Sequence, residues 1–456
     1  MNPELLRNAW TELTERRVTL MAVVVGCILL VAITPGSLSG AVSTAELAFY
    51  AVVVLWGTRC AAQSVVEEIS GKTWDAQRLS SIRPWTMVWG KLLGSTLLAW
   101  LGGAMCLAVI LYAALARGGV ELLASEAAYY IGIGLLSQAV AMLASLVAVR
   151  RRLSHSRFDV FIYQLFGLIA AVVVWRVWQT ADPNSLYNRW TGSIDPFALA
   201  HVSWWGSDYD TGLFYVVSLA IFAAWTLTAN YRVMRTELQV QNGPVVWLSF
   251  LAFVALYAGG FDPWRDDAAA EHAALGLRTI QAGIALGVVT YVMALVEPKE
   301  IVAYRWLMDR FRQGRFIAFF SRCPGWLYAY LGTFAAGVIA LLVTPWGDLR
   351  AAGTTQLDAA VLVIAALGFV LRDCGIFVAF GLGQTGKRSD IAALAVIAVA
   401  YIFLPGMFIR ADGASLFFYP SLHEPAWANP LIAWLQALFA WAFILRRRDL
   451  RERPPT

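Results

Sequence analysis

Glu67-Glu68-Ile69-Ser70-Gly71-Lys72-Thr73-Trp74-Asp75-Ala76-Gln77-Arg78-Leu79 is a patterned polar stretch set between two apolar runs, and it continues through Pro84-Trp85 to Gly90-Lys91. Its residue types suit charge-assisted hydrogen bonding to a partner surface rather than bond making. Ile69, Trp74 and Leu79 are expected to lie toward a membrane face, while Glu68, Lys72, Asp75, Gln77 and Arg78 point elsewhere. Pro84 cannot continue a helix cleanly and punctuates the segment. Glu67 and Glu68 close an apolar run, where a carboxylate is costly unless it meets water or a cation. They read either as a pivot bonded to neighbouring helices or as interfacial groups in water.

Other arrangements that could do chemistry are incomplete. Gly71-Lys72-Thr73 ends like a phosphate loop, but Val66 stands where the leading glycine belongs. Gly381-Leu382-Gly383-Gln384-Thr385-Gly386-Lys387 has both glycines, but Arg388 replaces the hydroxyl that would reach magnesium. Neither follows a buried strand, as that motif requires. No nucleotide or other cofactor is therefore expected on this chain, and ATP hydrolysis, if it drives the protein, belongs to a separate polypeptide. His155, His201, His272 and His423 are scattered, and Cys27, Cys60, Cys106, Cys323 and Cys374 form no C-x-x-C pair. No metal site is expected, and nothing resembles a catalytic triad or a hydrolytic carboxylate pair. Arg59 lies about two turns deeper than Glu67, placed to snorkel inward or to pair with a carboxylate on another helix. Arg372-Asp373 reads as a similar intramembrane ion pair. Trp190, Trp204 and Trp205 are candidates for an outer gate, the alternative being the aromatic belt of any membrane protein.

The elements that must position these residues are apolar. The chain is 59% hydrophobic and 14% charged, against roughly 25% charge in soluble proteins. Runs long enough to cross about 30 Å of hydrocarbon recur. About twelve spans are expected, near 18–34, 45–66, 92–115, 127–149, 158–178, 212–230, 245–260, 278–296, 326–343, 357–379, 391–409 and 429–445. The fold class is all-α and polytopic. Lys and Arg concentrate in one set of loops: Arg16-Arg17, Lys72 to Lys91, Arg150 to Arg157, Arg232 and Arg235, Lys299 to Arg322, Lys387-Arg388 and Arg446-Arg447-Arg448. That asymmetry places both termini and the 67–91 loop in the cytoplasm. It also accounts for the formal charge of +5, which is no argument for a nucleic-acid partner. Before the first span, Leu5, Leu6, Ala9, Trp10 and Leu13 fall on one side of an expected amphipathic helix over 3–16, lying on the inner face.

The second half, 241–456, reads as a diverged copy of the first, 1–240. Each half has six spans and its longest inner loop between its second and third spans, 67–91 and 297–325. Six is even, so the halves would be parallel repeats.

The string E-x(4)-K-T-W-D-x-Q-R-L-S, followed by P-W and G-K-L, resembles the loop between the second and third spans of ABC-2 type permeases, the membrane subunits of ATP-driven exporters. The likeness is specific over 67–94 and weak over 1–240. It implies that this loop holds a coupling helix docked on the ATPase through Glu67, Glu68, Lys72, Thr73, Trp74, Asp75, Gln77 and Arg78. In the second loop, Glu300, Arg305, Trp306, Asp309 and Arg310 keep the character of a coupling segment, without the string. The resemblance implies two fused permease halves in a bacterial cytoplasmic membrane. The partners would be separate ATPase subunits, two copies in all, and lipid. The lack of a deep charge cluster points to hydrophobic or amphipathic cargo. Asp309-Arg310-Phe311-Arg312-Gln313-Gly314-Arg315 is similar to the D-R-x-G-R-R loop of major-facilitator secondary transporters, the alternative reading. A non-transporting assembly subunit is a third.

Overall fold

In the computed structural model the chain is almost wholly helical and divides into two compact units, Met1–Val202 with Asp208–Asn242 and Ser203–Ser207 with Gly243–Thr456. The structure describes residues 2–33, 38–79, 82–150, 157–181, 201–262, 268–343, 356–382, 388–407, 414–421, 425 and 427–446. Backbone groups in lipid have no water to bond, so long apolar runs close their hydrogen bonds internally as helices. Among the described residues, eight helices are long and apolar enough to cross a membrane. They carry nine of the expected spans, because one of them is 67 residues long and contains two. The other three fall on α2 (Glu15–Ile33), which starts with three charged residues, and on two shorter apolar helices.

The first unit begins with α1 (Pro3–Glu12) and α2. Next, α3 (Leu38–Phe49) passes through a π-helical stretch, Tyr50–Trp56, into α4 (Gly57–Ser70). The widened π turn leaves carbonyls without their usual partners, and two glutamines meet them. Gln138 Nε2 donates to Val53 O at 3.0 Å and Gln164 Nε2 to Leu55 O at 2.8 Å. After the short α5 (Trp74–Arg78) comes α6 (Pro84–Arg150). A straight helix of that length would run about 100 Å. It does not, because Gly118 and Gly119 leave helical geometry, Gly119 with φ 71° and ψ −155°. The chain doubles back there, so that Trp100 Nε1 on one arm donates to Gln138 Oε1 on the other at 2.9 Å. Then come α7 (Arg157–Ala181), a hairpin of β1 (His201–Trp204) and β2 (Ser207–Asp210), and α8 (Thr211–Glu237). Phe49, Trp100, Tyr129, Tyr130 and Trp178 form the centre of the apolar core.

The second unit contains α9 (Val245–Gly259), α10 (Ala268–Val296), α11 (Ile301–Arg312), α12 (Phe316–Ser321), α13 (Gly325–Val343), α14 (Gln356–Gly381), α15 (Arg388–Ala398), a second π stretch Val399–Phe403, α16 (Leu404–Met407) and α17 (Ala428–Arg446). Glycines let its helices approach closely, as small residues do in membrane bundles. Gly368 and Gly375 on α14 lie against Ala433 and Ala440 on α17. Trp434 and Trp441 donate their indole N–H groups across that seam to Ile364 O and Leu371 O, both at 3.1 Å.

Gly119 occupies backbone space open essentially to glycine alone, and a Cβ there would meet no neighbour. Any loss on substitution is therefore conformational. Gly119→Ala should lower the stability of the detergent-solubilised protein by about 1–3 kcal/mol, read from thermal unfolding. An unchanged midpoint would mean that the arms, and not the turn, dictate the reversal.

Candidate functional site

The polar stretch begins where α4 stops. Lys72 N–H bonds Ile69 O at 3.1 Å and Thr73 N–H bonds Glu68 O at 2.9 Å, with Lys72 in the left-handed region at φ 55°. This is the helix stop in which the residue after the cap is left-handed. The chain turns into α5, and Trp74 inserts into the core among Val65, Met87, Leu92, Met142 and Leu146. Trp74 and Gln77 are buried, whereas Lys72, Thr73 and Asp75 are exposed and Arg78 is half-buried. The expectation that Trp74 and Leu79 share a membrane face is corrected. The ring fills the bundle interior, while Leu79 on the opposite side is 89% exposed. Arg78 Nε donates to Glu237 O at 3.0 Å, fastening α5 to the end of α8.

Glu67 and Glu68 part company. Glu67 is exposed, and Glu68 turns inward. Glu68 accepts from Lys91 Nζ at 3.2 Å and from Thr73 Oγ1, and pairs with Arg7. Lys91 is only 1% exposed, and its ammonium also reaches Glu4 Oε1 at 3.1 Å. Its charge lies 5.6 Å from the centre of the Trp74 ring, within cation–π range. Arg7 bonds Glu4 Oε1 at 2.8 Å as well, so two cations and two carboxylates close a compact network.

Residues 2–8 make this network possible. Asn2 caps α1, accepting from Glu4 N and Leu5 N, and its Nδ2 donates to Thr86 O at 2.8 Å. Asn8 Nδ2 donates to Gly90 O at 3.0 Å. A Cβ at Gly90 would come within 2.5 Å of Glu4, and one at Gly94 within 2.6 Å of Asn8. Gly90-Lys91-Leu92-Leu93-Gly94 is thus a glycine seat for α1. The helix buries its polar face on α6 and leaves Leu6, Trp10 and Leu13 exposed. Sequence reasoning found the apolar stripe but missed Glu4, Arg7, Asn8 and Gly94. The signal was the glycine spacing around a lysine inside an apolar run.

In the second unit, Trp306 on α11 lies between two guanidinium groups, Arg310 at 5.2 Å and Arg322 at 4.8 Å. Asp309 accepts from Gln313 Nε2 at 2.6 Å. Glu300 stands at the start of α11 and Arg305 is half-buried. Glu297 caps α13, its Oε1 accepting from Gly325 N at 2.8 Å. Here too the helix ends on a left-handed residue, Gly314 at φ 70°. Gln239, at φ 61° after α8, ends a third helix in the same way, so the stop by itself does not mark a coupling loop.

The intramembrane residues differ from one another. Arg59 is exposed on α4, and no carboxylate pairs with it among the described residues. Asp373 is fully buried and accepts from Arg372 Nε at 2.8 Å, Tyr291 OH at 2.7 Å and Tyr401 OH at 2.7 Å. Arg372 reaches Gln436 Oε1 at 2.8 Å and lies over Phe369 and Tyr401. Tyr401 belongs to the second π stretch, and Tyr50 of the first bonds Tyr129 OH at 2.8 Å near the buried Glu46 and Glu126. Those two acids were not singled out from the sequence. Among the described residues no group of acids, histidines and cysteines could hold a metal ion.

Of the expected outer gate, Trp190 lies outside the described residues. Trp204 and Trp205 donate their indole N–H groups to Tyr257 O and Leu256 O, both at 3.2 Å. Arg278 covers the Trp205 ring at 4.9 Å and pairs with Asp262. All of these contacts lie within the second unit, to which the hairpin tip 203–207 belongs.

The network around Lys91 is testable by thermodynamic coupling. Lys91→Met leaves Glu4 and Glu68 short of a cation and should cost about 3 kcal/mol or more. Adding Glu4→Gln should cost less than the sum of the two single changes, by about 1 kcal/mol. Strict additivity in chemical unfolding would show that the pair is not coupled. Comparison of this chain with protein-family models, with characterised proteins and with solved structures returns no match.

Proposed function

We propose that this chain is the membrane subunit of an ATP-driven exporter, receiving movement from separate ATPase subunits through the 67–91 segment, with 297–325 as a second contact. The observation that carries the reading is the Glu4–Lys91–Glu68–Arg7 network under the segment. It ties the segment, α1 and the base of α6 together, so a push on the exposed groups displaces the α6 arm rather than only a loop. The exposed groups offered to a partner include Glu67, Lys72, Asp75 and Leu79. In this reading the twelve apolar segments all cross a bacterial cytoplasmic membrane as two parallel six-helix halves, with both termini in the cytoplasm. The cargo is hydrophobic or amphipathic, and two ATPase copies supply the energy. The partner favours one arrangement of the segment over another by differential affinity, which is what a two-state transporter needs.

The buried Asp373 favours a second reading, a secondary transporter driven by an ion gradient, since intramembrane carboxylates mark ion paths. Arg372 and two tyrosine hydroxyls already satisfy this carboxylate, so the exporter reading is preferred.

The test is to change only exposed groups. Lys72→Glu, Asp75→Lys and Leu79→Ser together should weaken binding of the co-expressed ATPase by about thirtyfold or more, the scale of an interface hot spot, with membrane insertion unchanged. Trp74→Ala should instead lower the stability of the chain itself. Unaltered ATPase binding and transport in the triple variant would move the reading to the ion-driven class.

A further inference from the structure

The excursion between α10 and α13 is basic and aromatic, and beyond the residues assigned to coupling it exposes Phe311, Arg312, Arg315, Phe316, Ile317 and Phe320. Between residues 305 and 322 stand Arg305, Arg310, Arg312, Arg315 and Arg322 against one carboxylate, Asp309. Among them Phe311, Phe316, Ile317 and Phe320 are exposed, Ile317 by 90%. Phe311 joins the two helices, its ring 5.9 Å from Phe316 and 5.4 Å from Phe319. Arg310 and Arg322 are held on Trp306, while Arg312 and Arg315 are exposed.

The tethers fix where this surface can be. Only residues 297–300 separate α10 from α11, and only 322–324 separate α12 from α13. At about 3.5 Å per extended residue, these links reach roughly 14 and 10 Å. The helices at their far ends, α10 and α13, are both of spanning length and apolarity. Short tethers hold both ends of the excursion near the ends of α10 and α13, where the headgroup layer would lie. At that depth exposed aromatic and aliphatic side chains are stable in the acyl boundary, and guanidinium groups bind phosphate oxygens in a fork geometry that lysine lacks.

We propose that α11 and α12 form a foot that binds anionic phospholipid of the adjoining leaflet. Arg312 and Arg315 contact the phosphates while Phe316 and Ile317 enter the acyl boundary. The inference rests on the spanning of α10 and α13, not on the ATPase. It also leaves Glu300, Arg305, Trp306, Asp309 and Arg310 for the second contact.

The experiment places bimane on Ile317→Cys in the full chain, reconstituted in vesicles of phosphatidylcholine with or without phosphatidylglycerol, with the unlabelled-site protein as blank. Burial and then the nearby Glu297 charge push the native Cys323 thiol up to about 12, so it labels slowly near pH 7. Brominated acyl chains should quench the probe, more strongly with phosphatidylglycerol present. Arg312→Gln with Arg315→Gln should lower the preference for phosphatidylglycerol by at least about fivefold, one arginine's worth at a membrane surface. The corresponding lysine pair should keep most of it. Quenching by aqueous iodide that is equal in both vesicle types would overturn the proposal. So would protection of the probe only after the ATPase is added, which would assign this face to a protein. Neither result bears on the 67–91 segment, which is judged by its own triple variant.

Discussion

A lysine ammonium with almost no access to water is the constraint on which the geometry around α1, the end of α4 and the start of α6 depends. Burying such a charge alone is so unfavourable that the group would neutralise or the structure would open. Lys91 is retained because Glu4 and Glu68 meet it from two different elements and the Trp74 ring lies nearby. Each contributor then requires something further. Glu4 requires α1 to lie against α6, which requires glycine at 90 and 94. Glu68 requires α4 to stop where it does. Trp74 requires the sharp turn at Lys72. An ion pair this dry is weak evidence for stability and better evidence for a defined arrangement. Here it fixes three chain segments in one geometry.

The two π stretches place polar groups at depth in a similar way. A π turn displaces the helix register and presents carbonyls and side chains that a regular helix would hide. In the first unit Gln138 and Gln164 take up the carbonyls, and Tyr50 is directed onto Tyr129. In the second unit the stretch brings Tyr401 to Asp373. Each polar node draws partners from several helices, so it specifies which helices meet as well as where.

Much of the fold was legible because lipid leaves few choices. Periodicity and length found the apolar segments that appear as eight helices of spanning length among the described residues, and Pro84 marked the start of α6. The reversal at Gly118-Gly119 was legible as a short break between two apolar runs, although not as a turn built into one helix. The site was legible in part. Glu68 and Asp75 stand out as charges beside an apolar run, but sequence alone does not say that Glu67 faces away and Glu68 faces in. Trp74 was misplaced because a five-residue helix after a left-handed turn does not continue the angular phase of α4. Residues 2–8 escaped because their partners are more than 60 positions away. Long-range polar pairs leave no local pattern.

The excursions over 67–91 and 297–325 share a backbone device and differ in chemistry. Each contains a helix stop on a left-handed residue, Lys72 after α4 in one and Gly314 after α11 in the other. Glycine takes that conformation freely, whereas a side chain there costs about 1 kcal/mol. Lys72 is tolerated because the turn it makes seats Trp74 and lets Thr73 bond Glu68, so the strain is offset locally. After Gly314 no comparable seat exists, and the following helix turns aromatic groups outward instead of into the core. One excursion therefore presents a few polar groups on a rigid base, suited to a protein surface. The other presents arginine and phenylalanine on short tethers, suited to the bilayer. Two loops that read as counterparts in the sequence thus differ in what they expose, polar groups on a buried tryptophan seat in one and arginine with phenylalanine in the other.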